Sequence, residues 1–192
     1  VREMYPKLLK YHKWWYAKRD HDKNHICEFG SVDGTLVAAA WESGMDNAIR
    51  FDGTKMLQNG PDAWSTDQES VDLNAYLSLE YTLLKKFAAL LDEPFLLPDY
   101  RSMVADYFFD KKDGFFYDRR MNATRDFVRE AGCEGYIPFW ANIATKEQFA
   151  KARKLLDNKK KFSTYIPFPT IAADNPKYDP KGYWRGPIWL DQ

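Results

Sequence analysis

The stretch from Ser70 to Leu91 constrains the fold most. Leu73, Tyr76, Leu77, Leu79, Tyr81, Leu83, Leu84, Phe87 and Leu91 spread apolar side chains around most of a helical circumference. A helix of that kind is covered on more than one side, as in layered helical architectures. A second, amphipathic helix is expected over residues 3–18. There Leu8, Leu9, Tyr11, His12, Trp15 and Tyr16 recur at helical spacing, with lysines opposite. Further helices are expected from Pro98 to about Phe109 and from Lys146 to Leu156. Residues 52–68 read as loop, broken at Asn59-Gly60-Pro61, and 162–182 as a long ordered loop holding most of the late prolines. Phe115 to Asp118 reads as a short strand. The expected class is all-α, built of helix–loop–helix pairs with aromatic loops gathered at one mouth.

Function classes narrow with the charge balance. The 192 residues carry 28 basic and 28 acidic side chains spread along the chain, which leaves no nucleic-acid footprint and no polybasic membrane patch. There is no apolar run of membrane-spanning length and no signal-peptide pattern at the first residues. Cys27 and Cys133 can pair only in an oxidising compartment, and two cysteines decide nothing. Both ends fall inside helix-like patterns, so the chain reads as one piece, residues 1–192, of a larger domain.

Chemistry concentrates in Trp41-Glu42-Ser43-Gly44-Met45-Asp46-Asn47-Ala48, which places two carboxylates, an aromatic and a glycine at what reads as a helix start. Small residues precede it (Ala38, Ala39 and Ala40), so a carboxylate here is expected to face an enclosed space. A carboxyl beside an indole, shielded from water, has its charged form disfavoured. That environment lets a general acid keep its proton near neutrality. Asp46 is the candidate acid, and a sugar the candidate substrate. Glu69, Asp72 and Asn74 cluster where Ser70–Leu91 begins, a position that also suits helix capping.

A second acidic stretch runs from Arg19 to Glu28. Asp20, Asp22 and Asn24 fall at alternate positions, Ile26 can offer a carbonyl, and Glu28 adds a carboxylate. Calcium takes six to eight hard oxygens, and alternate residues of a turning loop can converge on one point. A polar turn closed by Asx hydrogen bonds explains the same pattern. His21 and His25 read as solvated histidines.

Three motifs occur in order: Trp41-Glu42-Ser43-Gly44-Met45-Asp46, Ser70-Val71-Asp72-Leu73-Asn74-Ala75-Tyr76, and Tyr183-Trp184-Arg185-Gly186-Pro187-Ile188-Trp189. Together they resemble the catalytic domain of glycoside hydrolase family 63, which includes α-glucosidases and mannosylglycerate hydrolases and is related to trehalases. The resemblance implies an (α/α)6 barrel and inverting hydrolysis of an α-glycosidic bond in an oligosaccharide or small glycoside, as by an α-glucosidase. It implies Asp46 as general acid. Trp41, Tyr76, Tyr183, Trp184 and Trp189 would line the sugar pocket, although core packing explains aromatics equally well. Arg185 would orient a loop or a hydroxyl. The resemblance also implies a calcium ion in the acidic loop, with Glu69 as helper. It puts the base glutamate well after the Tyr-Trp-Arg-Gly motif, in the remainder of the same catalytic domain, so the 192 residues alone should be inactive.

Glu42 and Asp46 are four residues apart. On a helix their β-carbons would be about 5–6 Å apart, which suits a retaining pair better than the roughly 6.5–9.5 Å separation of inverting carboxyls. Glu42 is therefore expected to bind a loop or a sugar hydroxyl. Two other readings are a carbohydrate-binding helical module without chemistry and a structural scaffold, in which Trp41 and Trp184 would be buried apart. A calcium loop and few cysteines point to a periplasmic or secreted setting.

Overall fold

The computed structural model describes residues 1–187. Helix α1 (Tyr5–Lys18) has Pro6 in its first turn, where the missing N–H costs nothing, and buries Tyr5, His12 and Trp15. It packs against α3 (Val71–Leu91), and a 2.7 Å contact between His12 Nδ1 and Glu80 Oε2 joins the two. Helix α3 buries Leu73, Leu77, Tyr81, Leu84 and Ala88 along one face and stops at Asp92, whose left-handed backbone (φ 56°) ends it. Its first N–H groups are not capped by Ser70. Instead, Asp118 accepts from Val71 N–H at 2.7 Å.

The expected class is corrected here. The structure is mixed α/β, 38 % helical and 13 % strand, and neither all-α nor, within the described residues, the barrel that the resemblance implied. Strands β1 (Glu28–Ser31), β2 (Met56–Gly60) and β3 (Ala63–Glu69) form an antiparallel sheet in the order β1-β3-β2. A two-residue strand, Arg119–Arg120, pairs with the far end of β3, and Phe109–Asp110 pairs with Phe115–Phe116 in a separate small hairpin. The stretch read as loop is thus largely sheet. Gly60 pairs with Ala63 across Pro61-Asp62, so the breaker is a hairpin connection. A turn signal between two polar runs looks the same whether or not the runs pair. Here the sheet has few β-branched residues to announce it.

Helix α2 (Leu36–Glu42) rests on β1, with the Thr35 hydroxyl accepting Ala38 N–H at its start. Helix α4 (Arg101–Tyr107) and the single turn α5 (Ile137–Trp140) pack on α3. Helix α6 (Lys146–Leu156) starts at a capping box in which Thr145 and Gln148 satisfy one another's N–H groups. Helices 3–18, 70–91 and 146–156 were legible; the 98–109 segment is helical only over Arg101–Tyr107. No described helix is long and apolar enough to cross a membrane. Cys27 and Cys133 are both buried, and no disulfide joins them.

Candidate functional site

The Trp41–Ala48 stretch is the exit of a helix, not its start. Helix α2 ends at Glu42, Ser43 donates its hydroxyl to the Ala40 carbonyl and accepts Met45 N–H, and Gly44 turns the chain with φ 74°. Asp46 therefore stands exposed in a turn, and Trp41 projects into solvent at 69 % exposure, so the described residues do not enclose them as expected. Glu42 points the opposite way. It takes two nitrogens of buried Arg19, at 2.9 and 2.7 Å, and the Gly30 N–H at 2.6 Å, pinning the turn's near end to α1 and β1. With the helix over, the four-residue spacing no longer sets a distance between Glu42 and Asp46.

The late motif docks on this turn. Trp184 N–H donates to Asn47 Oδ1 at 3.0 Å and Arg185 Nε to the Asn47 carbonyl at 2.6 Å. Arg185 also grips Asp52, which Lys177 bonds at 3.0 Å. Burial works against the Asp52 charge, but these hydrogen bonds prevail and hold its carboxyl below the usual range. Beside the turn opens a cavity of about 830 Å³, lined by Met45, Tyr76, Tyr136, Trp140, Phe168 and Trp184 among others. One residue of each motif thus reaches a shared, mostly aromatic cleft. Tyr76 meets Trp140 edge to face. Tyr183 is exposed and is not part of this lining, and Trp189 lies outside the described residues.

Beneath the turn sits a cluster that the sequence reading did not single out. Arg50 is buried. Its Nη1 and Nη2 each reach an oxygen of Asp72 at 2.8 Å, Nη1 also lies 3.3 Å from Asp118, and Nη2 touches Met45 Sδ at 3.5 Å. Its Nε has no hydrogen bond. Gln68 donates to Asp118 at 2.7 Å. Burial raises the Asp118 pKa against the opposing pull of Arg50. A third carboxyl, Glu134, comes from the helical turn Cys133–Tyr136, and burial pushes it up to about 8 despite Arg50. Asp72 is thus an ion-pair partner more than a helix cap. The available signal was an arginine set between Ile49 and Phe51, a charge in an apolar run.

In the acidic loop, Asp20, Asp22 and Glu28 each bring an oxygen within 4.8 Å of the others. Asp20 accepts the N–H groups of Asn24 and His25, both at 3.1 Å, and Glu28 accepts that of His21 at 3.0 Å. Glu28 Oε1 is buried without any partner. Asn24 spans the loop, its Oδ1 on the N–H of buried Ile26 at 2.8 Å and its Nδ2 on Glu69 at 2.6 Å. Glu69 further meets Arg125 at 3.0 Å and the Tyr107 hydroxyl; Arg125 also pairs with Asp22. Desolvation raises the pKa of Glu28 well above its ordinary value and raises those of Asp20 and Glu69; neighbouring carboxylates add to each. The orphaned oxygen and mutual repulsion fit a divalent cation. Lys23 and His25 hold left-handed backbone (φ 60° and 71°), bending the loop back on itself. His25 is exposed, as expected of a solvated histidine, and stacks on Tyr100 at 4.5 Å.

The mannosylglycerate hydrolase MGH1-like glycoside hydrolase domain matches residues 1–192, and the chain belongs to that family. It is 23 % identical to the mannosylglycerate hydrolase of Thermus thermophilus, over all of this chain and 55 % of that protein. It is 25 % identical to mannosylglycerate hydrolase MGH1 of Selaginella moellendorffii, over 99 % of this chain and 47 % of that protein. The chain thus spans about half the length of these curated relatives. The crystal structure of the GH63 mannosylglycerate hydrolase from Thermus thermophilus in complex with glucose superposes over 99 % of this chain and 52 % of its own, with TM-score 0.75 and 20 % identity. The resemblance to glycoside hydrolase family 63 is thereby established.

Proposed function

We propose that the protein carrying this domain hydrolyses an α-glycosidic bond with inversion, Asp46 giving its proton to the leaving oxygen. The convergence of Met45, Tyr76 and Trp184 on one cavity, with Asn47 tied to both Trp184 and Arg185, carries the reading. Sugar rings offer C–H faces that aromatics cover, and need few fixed polar partners. The turn is held from both ends, by Glu42 on Arg19 and by Asn47 on the late motif, so Asp46 is exposed yet fixed. A positioned acid needs that geometry before any shift in acidity. In this reading the bound sugar covers Asp46, with Tyr76, Trp184 and the exposed Trp41 and Tyr183 against the ring and Trp189 completing the pocket. Arg185 serves by holding the Asn47 loop. The water-activating carboxylate comes from outside the described residues. The names of the relatives make an α-mannoside of glycerate the first substrate to offer, with α-glucosides second.

Calcium, in the same proposal, is bound by Asp20, Asp22, Asn24 through its amide oxygen, the Ile26 carbonyl and Glu28, with Glu69 in support. When bound, the ion supplies positive charge to a buried acidic loop; it has no part in bond cleavage.

Proton NMR of the intact protein acting on aryl α-mannoside and aryl α-glucoside tests the reading. A β-anomer formed first supports it. An α-anomer overturns the mechanism, and binding without turnover would mark a carbohydrate-binding module instead.

A further inference from the structure

The Arg50 cluster contains one cation and three carboxyls. Asp72 takes both terminal nitrogens of the guanidinium, Asp118 takes Gln68 and the first N–H of α3, and Nη2 meets Met45. The only donor left on Arg50, Nε, bonds nothing. Glu134 is buried like the rest, and no side-chain ion pair engages it among the described residues. Its oxygens rest on Gly132, where a β-carbon would come within 2.3 and 2.6 Å of them, so the backbone there is shaped around this carboxyl. It lines a crevice with Met45, Arg50, Thr170 and Trp184. Cys133 and Tyr136 of its own turn flank it, and Cys133 Sγ lies 3.9 Å from Met45 Sδ.

Three ionised carboxyls around one guanidinium would leave two uncompensated charges in the core, a heavy cost. With Glu134 neutral, only one remains. We propose that Glu134 is a positioning residue, which keeps the Arg50–Asp72–Asp118 cluster compact beneath Met45 and so fixes the turn carrying Asp46. Ionising Glu134 puts a third negative charge against Arg50. Arg50 is then drawn away from Asp72 and Met45, and the acid turn loses its floor. The groups facing Glu134 are Arg50 from the turn after α2, Asp72 from α3, Asp118 from the Phe115–Asp118 segment, and Cys133 and Tyr136 beside it.

This inference rests on the proposed glycosidase reading for its kinetic arm only. In the intact protein, kcat should fall on the alkaline side as Glu134 ionises. Glu134→Gln, an uncharged isostere, should remove or shift that limb by more than one pH unit while KM stays within about threefold. Glu134→Ala should lower kcat about tenfold at every pH. An alkaline limb unchanged in Glu134→Gln overturns the proposal. A second arm needs no substrate: thermal unfolding against pH. Wild type should lose stability as pH rises from about 4.5 through about 8, because the folded state holds the proton more tightly than the unfolded one. Glu134→Gln should lose less and be the more stable at pH 9. Parallel curves would refute the neutral acid, whereas absent turnover with diverging curves would count against the glycosidase reading alone.

Discussion

Two buried acidic regions solve the same problem differently. Beneath the acid turn, Asp72 and Asp118 surround an arginine that is itself buried and whose terminal nitrogens are fully engaged. Around the loop between α1 and β1, Asp20, Glu28 at the start of β1 and Glu69 at the end of β3 are equally buried, yet the arginine that pairs there is Arg125. Its side chain is 31 % exposed and reaches Asp22 and Glu69 only. The first region has a buried cation of its own. The second leaves a carboxylate oxygen of Glu28 with no partner. That difference is why the proposal puts an external cation in the loop and not under the turn.

The largest effect should come from breaking the arginine cluster. Arg50→Leu leaves its carboxyls unpaired in the core and should destabilise the protein by about 3–5 kcal/mol, since removing one partner of a buried pair strands the other. Urea unfolding measures this, and a loss under 1 kcal/mol would mean the cluster does not act as a unit. In the loop, calcium at a hundred times its dissociation constant should stabilise by about 2.7 kcal/mol. Thermal unfolding with calcium and then with chelator reads it, and Glu28→Gln should abolish the calcium response. Arg125→Gln should be the mildest. Because its partly exposed pairs are worth roughly 0–1 kcal/mol, it should cost little and should tighten calcium binding by removing a competing charge. Weaker binding would show that Arg125 builds the loop instead.

This contrast explains what was legible in the sequence. Helices α1, α3 and α6 announce themselves by apolar period and end signals, since a one-chain pattern suffices for them. The sheet was not legible, because the pairing of β3 with β1 joins Glu69 to Glu28 across the chain, and neither run alternates cleanly. The residues proposed for the acid turn and the loop come from their motif and spacing. Their surroundings were not legible: Trp41 and Asp46 are exposed because α2 ends at Glu42, a boundary that the alanines before it conceal. Arg50, Asp118 and Glu134 come from three distant segments, and their meeting is a property of packing alone.

The central claim is that Asp46 is the general acid of a glycosidase, and kcat of Asp46→Asn beside wild type in the intact protein tests it most directly. A loss of about 10²–10⁴ in kcat on an aryl α-glycoside with a poor leaving group, with the unfolding temperature unchanged, is the result expected of a removed acid. Turnover within about threefold of wild type would contradict the assignment, and with it the role given to the turn that holds Asp46.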